Sequence, residues 1–520
     1  MEIKRIGFIL GIVLFLLILF IPVPPSFLST AQQVVAQQQA EIDARTLAGS
    51  MQSVLAVLVL MIVWWLTEAV SLPATALLPA VLFPLLKVAG LHEKVTFPFT
   101  VRNTLFNYAN PVIYLFLGGF LIAGAMQKWK LDRRFTLWFL TQGKLANDSR
   151  SVLFGIMAVT AFLSMWISNT ATAAMMLPLG LGILSLMGGE PGKSRYGTAL
   201  MLGIAWAASI GGVGTIIGTP PNGIALGILN STFGSDPTYQ RITFLDWMKF
   251  GVPYVLMYLP IAWFILLKLH PPEVISLPGG KERLLQDCKA LGSLSSGERG
   301  TIAVFLLAVS LWVTNPFWDS LLPASFASRL SWLDEYLIGL LCGSLLFFIP
   351  VRLSKGSFLL DWRDTKFVDW GTLILFGGGI ALSDGMFKTG LAAWIATSFV
   401  GLFGTPSTVI MVFVVVFSVD FLTEVTSNTA VTSMMVPVVI SIALKTGENP
   451  ITVAVAAAIA ASMAFMLPVA TPPNALVYGT GYVALKDMVR AGLILDVIGW
   501  LMTVFVVLVI AGWLWGVVGY

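Results

Sequence analysis

Long apolar runs separated by short polar segments follow one another along this chain of 520 residues. About 20 consecutive apolar residues cross the hydrocarbon core of a bilayer as one helix. The pattern therefore predicts single transmembrane helices near 53–70, 72–90, 109–126, 249–269, 300–316, 335–350, 367–386 and 489–517.

The first apolar run, 6–23, follows a short basic start. A secretory signal with a cleavage site near 29–31 has this form, and so does a first transmembrane helix whose basic end stays inside. Prolines end the run at spanning length, which favours the helix. The polar, Gln-rich residues 32–50 predict a loop or a short surface helix, so 1–50 is expected to form an N-terminal helix and a polar loop.

Four longer apolar stretches carry Pro, Asn, Ser or Thr near their middle: 152–187, 197–229, 407–444 and 450–481. In lipid, a broken backbone is tolerated only where it faces protein or water. We interpret 152–187 and 407–444 as re-entrant hairpins and the other two as broken helices. The predicted fold class is an all-α polytopic membrane protein with about eleven transmembrane helices and two hairpins.

Composition agrees with this class. Hydrophobic residues make up 57% and charged residues 11% of the chain, whereas soluble proteins carry about 25% charged residues. This excludes a soluble enzyme and a disordered chain, and the continuous apolar runs exclude an outer-membrane barrel. Two cysteines and two histidines are too few for a disulfide framework, a Cys-based metal site or a His-dependent catalytic triad.

Basic residues define an orientation. With the N-terminus inside, the inner segments hold most of them: Lys128, Lys130, Arg133, Arg134, Lys144, Arg150, Lys193, Arg195, Lys281, Arg283, Lys289, Arg299, Arg352, Lys355, Arg363, Lys366, Lys486 and Arg490. Cytoplasmic loops carry such an excess. We therefore expect a multi-pass protein of the plasma (inner) membrane with a cytoplasmic N-terminus; the net charge of +4 does not call for a nucleic-acid partner.

Two halves of the chain repeat one another. Ser168-Asn169-Thr170-Ala171 returns 259 residues later as Ser427-Asn428-Thr429-Ala430, and Thr219-Pro220-Pro221-Asn222 returns 252 residues later as Thr471-Pro472-Pro473-Asn474. The repeats are predicted at 51–270 and 300–520, with a cytoplasmic linker at 271–299. The stretch after 109–126 is basic whereas the one after 367–386 is not, so the repeats are expected to be inverted, as in many secondary transporters.

The repeated motifs have the chemistry of ion binding. Ser and Thr hydroxyls and the Asn carbonyl are hard oxygen ligands for an alkali cation, and the Asn amide and the helix N-terminus suit a carboxylate. Tandem prolines break the following helix, which frees the carbonyls of Gly218 and Ala470 for a cation. The alternative is that such residues only join helices within lipid; two copies at one spacing favour a binding site.

No Lys or Arg lies within either pair of motifs. An anion bound there must be held by neutral donors, helix dipoles and co-bound cations, because bringing a dianion to membrane depth is costly. This absence is an argument for cation coupling.

These motifs, together with the segment ASMAFMLPVATPPNALVYG (461–479) and Trp64-Trp65-Leu66-Thr67-Glu68-Ala69, resemble the divalent anion/sodium symporter family of Na⁺-coupled di- and tricarboxylate and sulfate transporters. The resemblance covers nearly the whole chain. It implies a homodimer in the lipid bilayer, in which a transport domain formed by the hairpins and broken helices moves like an elevator against a scaffold domain.

The resemblance also implies a site. One Na⁺ would bind Ser164, Ser168, Asn169 and the Gly218 carbonyl, and a second would bind Thr423, Thr426, Asn428 and the Ala470 carbonyl. The dicarboxylate would contact Asn169, Thr170, Thr219, Ser427, Asn428, Thr429 and Thr471. Position 219 is Thr where some members of the family have Ser.

Asp420 and Glu424 are acidic residues within the second predicted hairpin, and Glu68 lies near the end of the second predicted span. Asp420 and Glu424 either tune the second cation site or make a structural hydrogen bond, and the residues alone leave both alternatives open. Glu68 is expected to be structural.

The predicted function is Na⁺-coupled symport of a C4-dicarboxylate such as succinate, malate or fumarate. A Na⁺-independent exchanger and a Na⁺-coupled sulfate or citrate transporter are the alternatives. An intramembrane enzyme would need a nucleophile–base pair or a metal cluster, neither of which is apparent. A passive channel would leave the duplicated cation ligands unexplained.

Overall fold

Helices make up nearly all of the regular structure of this chain. The computed structural model describes residues 2–92, 94–142, 148–274, 280–330, 332–511 and 513. Strands in these ranges form two short antiparallel hairpins, β1 (Ala89–His92) with β2 (Val95–Pro98) and β3 (Pro350–Arg352) with β4 (Ser357–Phe358).

The first half of the chain contains thirteen of the described helices. They are α1 (Glu2–Phe20), α2 (Pro25–Gln38), α3 (Ala44–Thr67), α4 (Leu72–Ala76), α5 (Leu78–Leu85), α6 (Val101–Leu105), α7 (Pro111–Lys128), α8 (Leu131–Leu140), α9 (Ser149–Ser164), α10 (Asn169–Leu186), α11 (Arg195–Gly212), α12 (Pro220–Phe233) and α13 (Phe244–Leu269). A 3₁₀ turn, Phe106–Ala109, precedes α7.

The second half contains the remaining helices. They are α14 (Gly280–Ala290), α15 (Ser296–Thr314), α16 (Trp318–Leu321), α17 (Ala324–Leu330), α18 (Glu335–Leu345), α19 (Trp370–Thr389), α20 (Leu391–Phe403), α21 (Thr408–Thr423), α22 (Asn428–Thr446), α23 (Pro450–Ala460), α24 (Pro472–Tyr478) and α25 (Leu485–Phe505). Short 3₁₀ turns lie at Asn315–Phe317, Leu353–Lys355 and Trp362–Phe367, and a π-helical stretch, Val506–Ala511, follows α25.

The predicted membrane class is confirmed. Within the described ranges, nine helices are long and apolar enough to cross a bilayer, or ten if α20 and α21, which meet at 105°, form one bent span. Shorter apolar helices at Leu72–Leu85, Ser149–Ser164, Glu335–Leu345 and Pro450–Ala460 coincide with further predicted spans and with arms of the predicted hairpins and broken helices.

The N-terminal segment packs onto the rest of the chain. The Gln52 side-chain amide on α3 donates to the carbonyls of Ile18 and Ile21, at 2.6 and 2.8 Å, and so satisfies carbonyls at the end of α1. The interpretation of 32–50 as a loop or short surface helix is partly wrong. α2 continues to Gln38 and α3 already begins at Ala44, after an Asp43 cap that accepts the Thr46 N–H at 3.1 Å.

The predicted linker 271–299 contains the helix α14. Residues 275–279 of this linker and Lys144 of the basic segment lie outside the described residues, as do 514–517 at the end of the last predicted span.

The two halves repeat their helices in one order. A shift of 259 residues carries the start of α7 onto that of α19, both ends of α9 onto those of α21, and the start of α10 onto that of α22. Each half also places a β-hairpin before this series.

The broken helices form the centre of the molecule. Every residue of α11 after Arg195 is buried, and so is every residue of α23. α11 is rich in Gly and Ala and α23 is rich in Ala, and such small residues allow close approach between helices in a membrane. The hairpins α9–α10 and α21–α22 pack directly on them.

Candidate substrate and cation site

The first hairpin turns at four residues between two helices. α9 ends at Ser164, and α10 begins at Asn169 after a Ser168 cap whose hydroxyl accepts the Ala171 N–H at 3.4 Å. Ser favours this position because its side chain satisfies an unpaired N–H group of the first turn. Asn169 is half-buried and Thr170 is exposed, so the start of α10 is accessible.

Three oxygen atoms meet at this hairpin tip. The Ser164 Oγ lies 2.8 Å from Asn169 Oδ1 and 2.6 Å from the Ala208 carbonyl oxygen on α11. A hydroxyl has one proton to donate, so one of the two neighbouring oxygens lacks it. The cluster is rich in lone pairs and poor in protons, as expected of hard oxygen ligands for an alkali cation.

The break between α11 and α12 is held by an asparagine. The Asn222 side-chain amide donates to the carbonyls of Gly212 and Thr215, at 3.1 and 2.8 Å. Both carbonyls lack the i+4 N–H partner of a regular helix, because α11 ends at Gly212 and the stretch that follows it is not helical. The sequence motif alone does not show this role of Asn222.

Gly212 brings the hairpin tip against the break. A Cβ atom at this position would lie 2.5 Å from Asn169 Oδ1 and 3.1 Å from the Thr219 Cβ, and Gly218 packs directly on Gly212. Only a residue without a side chain permits this approach. The predicted residues Asn169, Gly218 and Thr219 are thus brought together.

The second half repeats the same arrangement. The Thr423 Oγ1 lies 2.7 Å from Asn428 Oδ1 and 3.0 Å from the Ala461 carbonyl oxygen. The Asn474 amide donates to the carbonyls of Ala464 and Leu467, at 2.9 and 3.0 Å. The repeated motifs therefore fold into two equivalent polar networks.

The two networks interlock through helix packing. α10 and α11 of the first half contact α24, whereas α12 of the first half contacts α22 and α23. Each hairpin therefore packs against the broken helix of both halves. This crossing places the two tips within one helical assembly.

Other predicted residues have distinct surroundings. The Thr426 hydroxyl donates to the Trp65 carbonyl on α3 at 3.3 Å, so its proton is directed away from Asn428. The Thr471 hydroxyl accepts the Asn474 N–H at 3.3 Å. Ala470 is buried, and Ser427, Asn428 and Thr429 are half-buried at the start of α22.

Glu424 makes a structural set of hydrogen bonds. Its carboxylate accepts the backbone N–H groups of Phe465, Met466 and Leu467, at 2.6, 2.9 and 3.0 Å. These amides belong to the non-helical stretch between α23 and α24, where they have no helical acceptor. Glu424 therefore stabilises the second break. Its partners lie about forty residues further along the chain, and no sequence motif indicates this contact.

Asp420 lies one turn before Glu424 and is fully buried. Neither of its carboxylate oxygens has a hydrogen-bond partner among the described residues. Asp496 on α25 is also buried and lies beside Glu424. Glu68 pairs with Lys4 at 3.2 Å on an exposed surface, which agrees with its expected structural role.

Solved structures share this fold. The described chain superposes on a transporter of Alcanivorax borkumensis, YdaH, with a TM-score of 0.54, 15% identity and coverage of 89% of this chain and 100% of the other. It superposes on MtrF of Neisseria gonorrhoeae with a TM-score of 0.51, 14% identity and coverage of 78% and 83%. The fold is therefore that of a multi-pass membrane protein.

Sequence comparison gives the family. Residues 44–520 match the model of the sodium:sulfate symporter transmembrane region. A sodium-dependent dicarboxylate transporter of Staphylococcus saprophyticus, SdcS, is 37% identical over 463 residues, covering 87% of this chain and 85% of the relative. SdcS of Staphylococcus aureus is 35% identical over 467 residues with the same coverage. The chain belongs to the sodium:sulfate symporter family, which confirms the predicted resemblance and a transporter rather than an enzyme.

Proposed function

We propose that this protein imports a C4-dicarboxylate such as succinate, malate or fumarate, coupled to Na⁺. The observation that carries the proposal is the pair of equivalent oxygen clusters at the two hairpin tips. The relatives SdcS, 37% and 35% identical, are described as sodium-dependent dicarboxylate transporters, which supports both the cation and the substrate class.

Each cluster supplies oxygens for one cation. We assign Ser164, Ser168, Asn169 and the Gly218 carbonyl to the first Na⁺, and Thr423, Thr426, Asn428 and the Ala470 carbonyl to the second. The first assignment is supported by the close packing of Gly218 on Gly212 beside Asn169. The Thr426 contact with Trp65 favours a role for Thr426 through an oxygen lone pair.

The substrate dianion binds between the tips. Its carboxylates face the N-terminal ends of α10 and α22, which have 18 and 19 residues and therefore present positive dipole ends and free N–H groups. We assign Asn169, Thr170, Ser427, Asn428 and Thr429 as donors, and Thr219 and Thr471 as residues that close the site. Bound Na⁺ offsets the cost of burying two negative charges.

Transport follows from moving this site across the membrane. In the proposed arrangement the halves are inverted repeats, the chain is a homodimer in the plasma membrane with a cytoplasmic N-terminus, and the hairpins and broken helices move together like an elevator. The interlocking of each hairpin with both broken helices supports movement as one body. If more sodium charges than substrate charges cross, each excess charge draws about 2.3 kcal/mol per 100 mV from the membrane potential.

Uptake of [¹⁴C]succinate into proteoliposomes tests the proposal. We expect uptake driven by an inward Na⁺ gradient and its loss when choline replaces Na⁺. A matched pair of variants on α9 adds specificity: Ser164→Ala removes a cluster oxygen, whereas Ser151→Ala removes a hydroxyl at the other end of the helix and is expected to retain uptake. Unchanged uptake in choline would contradict coupling and favour the Na⁺-independent exchanger.

Sulfate is the second candidate substrate, because the matching family model is that of a sodium:sulfate symporter. Competition of unlabelled sulfate, citrate and malate with labelled succinate separates the candidates. Full inhibition by malate with none by equimolar sulfate is the expected result.

A further inference from the structure

A separate polar cavity of about 280 Å³ lies at the ends of three long helices. The loop between α10 and α11, the residue after α13 and the loop before α25 surround it, and its charged and polar walls include Lys193, Arg195, His270, Asp487 and Arg490. The length of α11 puts about 26 Å between this cavity and the break at Gly212. The cavity is therefore not part of the substrate site.

Three basic side chains and one carboxylate, Asp487, line the cavity. Glu190, beside it, pairs with Lys193 at 2.7 Å. The Glu273 carboxylate accepts the backbone N–H groups of Arg195 and Tyr196 and keeps its negative charge. The side chains of Arg195 and Arg490 have no ion pair among the described residues, which leaves Asp487 as their nearest opposite charge in the lining.

His270 supplies an independent observation. Its side chain is 8% exposed and lines the cavity, and the described part of the chain gives its ring no hydrogen-bond partner. The ring nitrogens are not among the fully buried polar atoms that lack a partner, so they are accessible from the cavity. The ring is therefore placed to bind a ligand that enters the cavity.

The N-terminus of α25 opens beside the same cavity. Its cap position is Ala484, a lining residue that offers no side-chain acceptor. The N–H groups of Asp487 and Met488 bond to the Ala484 carbonyl, whereas those of Leu485 and Lys486 have no acceptor among the described residues. The start of a long helix with free N–H groups favours an anion.

We propose that this cavity binds a phosphate group, and that its source is the headgroup of an anionic phospholipid. Arg195 and Arg490 donate to the phosphate oxygens, with His270 and the first turn of α25 as further donors. The cavity lies where membrane-crossing helices end, which is the depth of lipid headgroups, and basic pockets between transmembrane helices bind such headgroups. Inorganic phosphate has the same chemistry and is separated from the lipid by experiment.

Thermal unfolding of the purified full-length protein in neutral detergent tests the proposal. The samples contain neither Na⁺ nor dicarboxylate, so the result of this test does not depend on the proposed transport function. Phosphatidylglycerol is titrated against phosphatidylcholine, and in a second arm inorganic phosphate is titrated against chloride at equal ionic strength. A ligand that binds only the folded state raises the unfolding midpoint. We expect a rise with phosphatidylglycerol alone.

Substitutions test whether phosphatidylglycerol binds in this cavity. The double variant Arg195→Gln/Arg490→Gln is expected to weaken the apparent affinity for phosphatidylglycerol at least tenfold, as the loss of charge-assisted hydrogen bonds implies. Lys268→Gln removes an exposed basic residue near this end that does not line the cavity, and is expected to change nothing. Asp487→Asn removes the competing carboxylate and is expected to strengthen binding.

Two results would overturn the proposal: an unchanged phosphatidylglycerol effect in the double variant, or no difference between phosphatidylglycerol and phosphatidylcholine. A rise with inorganic phosphate that the double variant abolishes, without a lipid effect, would support the phosphate pocket and overturn the lipid source. If the double variant does not fold, native mass spectrometry of the Asp487→Asn variant replaces it. More bound phosphatidylglycerol than in the native protein would support the proposal, and an equal or smaller amount would contradict it.

Discussion

Individual residues define how closely the hairpin tips approach the broken helices. Gly212 is the clearest case, because the space that a side chain would need is already filled by Asn169 and Thr219. Residues such as Ser164 and Asn222 then hold oxygen atoms in fixed positions. At this scale the geometry of the site depends on the positions of single atoms.

We expect Gly212→Ala to abolish Na⁺-driven uptake while the protein still inserts and folds. The added methyl group displaces the Asn169 side chain, which would be only 2.5 Å away. Gly182→Ala is the matched control on α10, since a Cβ atom there meets nothing within 4 Å, and it is expected to retain uptake. Equal uptake by both variants would show that Asn169 is not held against the break for function.

His270 gives a pH dependence of stability. Burial lowers the pKa of His270, with Asp487 opposing and Arg490 adding to the effect. Below the ordinary pKa of histidine the unfolded chain binds a proton that the folded chain does not, so the free energy of unfolding falls as the pH is lowered from about 7.

Thermal unfolding between pH 7.5 and 5.5 is the measurement. His270→Gln is expected to flatten the profile over this range, and His92→Gln, which changes the only other histidine in the sequence, is the matched control. A profile that His270→Gln leaves as steep as that of the native protein would contradict this origin.

At the scale of elements, each broken helix is stabilised by an amide that replaces missing backbone donors. Asn222 and Asn474 do this in equivalent ways, and the second break has the additional contacts of Glu424. Both breaks thus have the asparagine hydrogen bonds, and the second break has the hydrogen bonds to Glu424 in addition.

We expect Asn222→Ala to lower the free energy of unfolding by about 1–3 kcal/mol. The buried Gly212 carbonyl loses its donor, and the Thr215 carbonyl keeps only the Gly218 N–H at 3.3 Å. Asn474→Ala is expected to cost less, since Glu424 still holds the same segment. Asn103→Ala, which removes a half-buried amide that donates to the Pro98 carbonyl at 2.8 Å, serves as the control in thermal unfolding and is expected to cost less. A larger loss for Asn474→Ala than for Asn222→Ala would contradict this account of the two breaks.

The sequence predicted the elements of the site well. Polar motifs inside apolar runs marked both hairpin turns, and the tandem prolines marked the starts of α12 and α24. The contacts across the site were not predictable. The acceptors of the Asn222 amide and the donors to Glu424 depend on which freed backbone groups come within reach, and no motif shows this.

Smaller elements were also missed. The strands Ala89–His92 and Val95–Pro98 pair at the end of a predicted apolar helix. The helix α14 lies within a segment predicted as a linker. Local polarity does not distinguish a short helix or turn from a loop, because packing against neighbours decides between them.

At the scale of the whole molecule, the two halves form one interlocked assembly. α24 packs between elements of the first half, and α12 packs between elements of the second. In the proposed function, a ligand bound between the hairpin tips contacts both halves. The proposal that one dianion and its cations are bound jointly depends on this arrangement.

Na⁺-dependent binding of succinate to the purified protein tests that joint site most directly. We expect the apparent affinity for succinate to rise with Na⁺ concentration with a Hill coefficient above 1, because cations at both tips support one substrate. Ser164→Ala and Thr423→Ala, measured beside Ser151→Ala and Thr446→Val, are each expected to reduce that coefficient and weaken succinate binding. Binding that does not depend on Na⁺, or that is impaired by a change at only one tip, would contradict the account.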